Sequence, residues 1–145
     1  MLFRSLPADL KKYAVLGMQL ADVTPELRSA YDLYFDDGVV ILDPGNDSDR
    51  LRSQPSGRFA EGCHFWMVGR KRVGSVREFV NQILTEAIGP DAAKNAVHGV
   101  PVIYKFLTFD EEFVGDGNMT QYLKLTKDDL KQLQIMSDQF TNESR

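Results

Sequence analysis

This chain is poor in the residues that build metal centres, disulfides and covalent catalysis. It contains one cysteine, Cys63, and two histidines, His64 and His98. A lone cysteine excludes an internal disulfide and any multi-cysteine zinc site, and the two histidines share no ligand spacing. Cys63 and His64 are adjacent, so in a strand their side chains point to opposite faces, which argues against a thiolate–imidazole pair. The acidic run Asp110-Glu111-Glu112, with Asp116, lacks the ordered spacing of a calcium loop. No Gly-x-Ser-x-Gly elbow, phosphate-binding loop or metalloprotease signature occurs, and nothing calls for a metal or a cofactor. No apolar run approaches the ~18 residues that cross a bilayer. The net charge of −4 gives no electrostatic reason to expect nucleic acid or an anionic membrane as partner.

What the chain does have is the make-up of one globular domain. Its 145 residues, 43% hydrophobic and 26% charged, suffice for a core. Residues 1–12 read as an arm, and Tyr13–Val23 as a strand with Met18 and Leu20 on one face and Gln19 on the other. Thr24-Pro25 places an N-cap before proline at the first helical position, predicting a short helix to about Tyr31. Val39–Leu42 is a compact strand between the turn signals Asp36-Asp37-Gly38 and Asp43-Pro44-Gly45. Residues 46–58 are polar and turn-rich and read as a loop.

Cys63–Val68 is the next strand, with Trp66 expected in the core. Gly69 to Arg72 follows as a solvated turn carrying Arg70, Lys71 and Arg72. Ser75 and Glu78 form a capping box for a helix with Val76, Phe79, Val80, Ile83 and Leu84 at helical spacing, ending near Gly89-Pro90. Residues 91–99 are a connection. Val100–Phe106 and Met119–Leu125 read as strands around the acidic segment Asp110–Asn118. Thr126-Lys-Asp-Asp129 caps a last helix with Leu130, Leu133, Met136 and Phe140 on one side.

The ordered pieces Leu16-Gly17-Met18, Asp22-Val-Thr-Pro-Glu-Leu27, Gly38-Val-Val40, Pro44-Gly45, Glu61-Gly62-Cys63 and Ser75–Leu84 resemble a PDZ domain. The closest type is the bacterial one found in HtrA-like serine proteases. The resemblance spans about residues 13–125 and rests on the order of the motifs, none of which is specific alone. It departs from the family where Cys63 stands in place of the usual Asp, in the longer loop 46–58, and in the extended segments 88–99 and 107–118. It implies an α+β fold with a partly rolled, mostly antiparallel sheet and two packed helices. A C-terminal helical tail over 126–145 is extra.

The resemblance also implies a non-catalytic module that captures a peptide C-terminus, or an extended segment, by strand addition beside Met18, Gln19 and Leu20. The carboxylate would rest on the N–H groups of Gly17 and Met18, with Lys12 adding positive charge. Leu16, Met18 and Leu20 would form one wall of an apolar pocket, and Val76, Val80 and Ile83 the other, favouring a partner with an apolar last residue. Phe79 and Leu84 would face the core. The module would recruit or regulate a protease in the same or another chain. The alternative is a structural or assembly domain whose groove is filled by its own tail, 130–145, or by another subunit, giving an oligomer. A third reading, a small hydrolase built on Cys63 or His98, requires a reactive, accessible thiol. The expected compartment is the cytoplasm for a complete chain and the cell envelope for a piece of a longer one.

Overall fold

The computed structural model describes residues 10–31, 36–43, 62–90, 99–105 and 118–143. In chain order these form β1 (Tyr13–Val15), β2 (Met18–Asp22), α1 (Pro25–Tyr31), β3 (Val39–Asp43), β4 (His64–Val68) and β5 (Lys71–Arg72). Then come α2 (Val76–Ile88), β6 (Val100–Lys105), β7 (Asn118–Leu123) and α3 (Lys127–Glu143). Among the described residues the architecture is α+β: an open, antiparallel seven-stranded sheet and three helices. The strands run β1-β2-β3-β4-β6-β7, with β5 folded back on β4. The expected loop 46–58, most of the connection 91–99 and the acidic segment from Asp110 lie outside the described residues.

The segment expected as one strand, Tyr13–Val23, is two. Leu16 and Gly17 have φ of 53° and 82°, and Val15 pairs with Met18. Positive φ at both central residues is the signature of a type I′ hairpin, a turn normally written Asn-Gly or Asp-Gly. Leucine in a left-handed conformation costs roughly 1–2 kcal/mol. Its side chain, however, is 7% exposed within the main core, and burying a leucine contributes roughly 1.5–3 kcal/mol. Burial therefore outweighs strain, and a turn forms where apolar alternation alone predicts a continuous strand.

Three local codes set the helices. Thr24 Oγ1 accepts the Leu27 N–H at 3.2 Å, opening α1. Ser75 Oγ accepts the Glu78 N–H at 3.1 Å, and the Glu78 carboxylate reaches back to the Gly74 N–H at 2.5 Å. That return bond lands one residue before the N-cap, a variation on the usual box. Thr126 and Asp129 form the fully reciprocal version, with bonds of 3.1 and 2.9 Å. Asp129 is buried and satisfied by this contact.

The sheet is covered on both faces. On one, α2 lies over β2, β4 and β6, and Phe79 stacks on Phe65 at 4.5 Å while Tyr104 meets Phe65 edge-on at 6.4 Å. Helix α3 packs against α2 and adds Leu133 and Phe140 to that core. On the other face Leu27 of α1 packs with Ala21, Val40 and Leu42. Gly38, with φ of 137°, is fixed by contact as well as conformation, because a Cβ there would lie 1.8 Å from Nε2 of His64.

Candidate functional site

Strand β2 and helix α2 bring the sequence-predicted residues together. Strand pairing alternates, so backbone groups that do not face one neighbour face the other. The Val23 N–H bonds Gly38 O at 3.0 Å, and Ala21 pairs with Val40 of β3. The N–H and C=O groups of Met18 and Leu20 therefore point away from β3. That outer edge carries β1, in the register Tyr13↔Leu20, Ala14↔Gln19 and Val15↔Met18. Met18 and Leu20 are buried and Gln19 is exposed, as the alternation predicts. Gly17 and Lys12 are exposed, Gly17 at the turn itself and Lys12 just before β1.

The second wall is equally enclosed. Val76, Val80 and Ile83 are fully buried, and so is Phe79, with Leu84 close behind. The expected division of α2 into a groove-facing and a core-facing stripe does not appear as a difference in exposure, because the sheet covers one flank of the helix and α3 another. The two walls are pinned at one end. Asp22 Oδ1, at the end of β2, accepts the Val76 N–H at the first turn of α2, at 2.6 Å. A carboxylate there satisfies an otherwise orphan donor and complements the positive end of the helix dipole.

Closure of this region is the work of β1 and α3 together. The rings of Tyr13 and Phe140 lie 5.3 Å apart at a 49° tilt. Ser137 Oγ donates to Asn81 Oδ1 of α2 at 2.6 Å. Lys11 Nζ is 5.3 Å from the Tyr13 ring centroid and 3.5 Å from Glu143. The Lys11–Glu143 pair is exposed on both sides, so it adds little; the ring contact is the stronger element, at about 0.5–1.5 kcal/mol beyond area burial. Burial pushes the Tyr13 phenol above its ordinary pKa, and the Asp22 carboxylate adds to the shift. The neighbouring phenol, and then Glu143, raise that of Lys11.

Val15, Asp22, Asn81 and Ser137 were not singled out by sequence. Asp22 carried a signal, since an acidic residue closing a strand is a candidate cap, but its recipient lies 54 positions away. Asn81 and Ser137 carry none, being ordinary polar residues on amphipathic helices.

The remaining candidates fall elsewhere. Cys63 is 1% exposed, immediately before β4. It lies close enough to Tyr104 to contribute to that phenol's shift; burial is the larger cause, and together they push Tyr104 up to about 12, against a weaker opposing hydrogen bond from Gln121. His64 is buried with Nε2 3.2 Å from Asp37 O. Arg72 grips Asp37 through two bonds of 2.6 and 3.2 Å, which holds the carboxyl below its usual range. Trp66 is half-buried in β4, and Arg70 and Lys71 are solvated. His98, Asp110, Glu111, Glu112 and Asp116 lie outside the described residues. Among those described, no three His, Cys, Asp or Glu side chains cluster to hold a metal, and no helix is long and apolar enough to cross a membrane. Comparison with protein-family models, with curated proteins and with solved structures gave no match.

Proposed function

We propose that this chain is a non-catalytic, PDZ-like protein-interaction domain that takes up an extended segment, preferentially a free C-terminus, by strand addition on the outer edge of β2. One observation carries the reading: the β2 edge already holds an antiparallel strand, and the α2 stripe Val76–Val80–Ile83 shares one apolar cluster with it. Strand addition draws affinity from main-chain hydrogen bonds and specificity from alternate side-chain pockets. Met18 and Leu20 supply the first, and Val80 and Ile83 line the second. The N–H groups at the Leu16–Met18 turn would receive a carboxylate once β1 has left, with Lys12 close by. A protease in the same or another chain is the client the PDZ resemblance suggests, and no cofactor or metal is needed.

A second reading has its own support. The burial of Leu16, Met18, Val76, Val80 and Ile83 in one cluster with residues of β1 and α3 suits an assembly domain whose groove stays permanently filled. Binding of a peptide library, each member as free acid and as amide, separates the two. Micromolar binding of free acids with apolar last residues, weakened by amidation and by Gly17→Asp, supports capture. Uniform failure of the free acids favours the filled, structural domain.

A further inference from the structure

We infer that β1 is a resident ligand, and that the external partner is an extended segment repeating its pattern: an aromatic residue, any residue, then a small branched aliphatic one at the chain end. This inference rests on the strand-capture reading above. Strand β1 runs antiparallel to β2 and ends at the Leu16–Gly17 turn, the place where a captured peptide would end. Its side chains alternate, so two of its three positions read the protein. Val15 opposes Met18 and is 2% exposed. Ala14 opposes Gln19, and both are solvated. Tyr13 opposes Leu20 and rests its ring on Phe140. A partner residue replacing Val15 must be small and branched to fill a closed space, the next is unconstrained, and the third gains most by being aromatic.

The same geometry makes β1 exchangeable. It is three residues long, so little pairing is lost when it leaves. Its turn holds a leucine in a left-handed conformation, a strain that release of the hairpin removes. Against this stands the tether, which presents β1 at an effective concentration in the millimolar range. An external segment therefore binds with an affinity reduced by the fraction of molecules in which the edge is open. Helix α3 adjusts that fraction through the contacts of Phe140 with Tyr13 and of Glu143 with Lys11. Whatever displaces α3 raises affinity at β2.

The test is fluorescence anisotropy with a labelled free-acid peptide ending Tyr-Ala-Val and a control ending Ser-Ala-Ser. Both are titrated against the full chain, Tyr13→Ser and Lys11→Glu. The first variant removes the aromatic contact of β1, and the second reverses its charge toward Glu143 and serves if the first folds poorly. The expected result is weak binding of Tyr-Ala-Val to the unmodified chain, at least tenfold tighter binding to Tyr13→Ser, a smaller gain for Lys11→Glu, and loss with Ser-Ala-Ser. Equal affinity for all three proteins overturns the resident-ligand inference while leaving strand capture intact. Binding of Ser-Ala-Ser as tight as Tyr-Ala-Val overturns the side-chain pattern. No binding by this peptide or any other free acid overturns both inferences together. A dimer that forms with concentration and ignores the peptide assigns the edge to β1 of a second copy, which also overturns the proposal.

Discussion

Phe140→Ala is the most informative single substitution, because it cuts the contact that joins the C-terminal helix to β1. Phe140 is 7% exposed, and its ring lies 5.3 Å from that of Tyr13 at a 49° tilt. Replacing a buried phenylalanine by alanine costs about 3–5 kcal/mol. Phe140 lies near the end of α3, where the surroundings relax more easily than at Phe79, so the lower figure, about 3 kcal/mol, applies. Of this, about 1 kcal/mol belongs to the ring pair. The total should appear in denaturant unfolding and as a fall in Tm of roughly 10 °C, at about 2–4 °C per kcal/mol for a chain of this size. The share held by the ring pair acts locally: it raises the population with β1 undocked about fivefold. Amide exchange at Met18 and Leu20 reads that population directly, and should accelerate more than exchange at Val40 and Phe65, whose partners are unaffected. A total loss below about 1 kcal/mol, with exchange at Met18 and Leu20 unchanged, would refute the view that α3 holds β1 in place.

Three further outcomes follow from the same geometry. Gly38→Ala should cost on the order of 3 kcal/mol, since φ is 137° and the new methyl would meet the buried His64 ring; urea titration measures it, and a near-neutral result would contradict the packing at that turn. Asp22→Ala should cost about 1–2 kcal/mol by stripping the Val76 N–H of its acceptor, with Asp22→Asn recovering part of it; equal losses in the two variants would deny the cap. Tyr104 supplies a pH prediction. Its folded pKa of about 12 lies above the ordinary phenol value, so its contribution is fully present below pH ~10 and is lost as pH rises from ~10 to ~12, by about 2–3 kcal/mol. Tyr104→Phe should flatten that part of the alkaline stability curve, and identical curves for the two proteins would count against a buried, neutral phenol.

Much of the fold was legible because much of it is coded locally. Thr24-Pro25, Ser75 with Glu78, and Thr126 with Asp129 each mark a helix start within four residues, and all three open helices where the sequence places them. Strands β3, β4 and β6 announce themselves by branched and aromatic runs, and the buried–exposed alternation of Met18, Gln19 and Leu20 is as the pattern predicts. The hairpin at Leu16–Gly17 was hidden because its turn residue is apolar: leucine satisfies both the strand pattern before it and the core beside it, and only its backbone conformation betrays the turn. The covering of α2 was illegible for a different reason. The apolar side of α3 could be read from Leu130, Leu133, Met136 and Phe140, but the surface that receives it is assembled from α2 and β1, whose meeting with α3 spans more than a hundred residues in the case of Tyr13 and Phe140. Side-chain periodicity reports that a face is buried and is silent on its partner.

The central claim is that the outer edge of β2 is a capture site now occupied by β1. Backbone amide chemical-shift mapping with a free-acid peptide ending Tyr-Ala-Val tests it most directly. The account predicts shifts concentrated at Gly17, Met18 and Leu20 and at Val80 and Ile83, together with loss of the β1 signals from their paired positions. Saturating peptide that leaves those amides in place, or that perturbs only β7 and the α1 face, would contradict it.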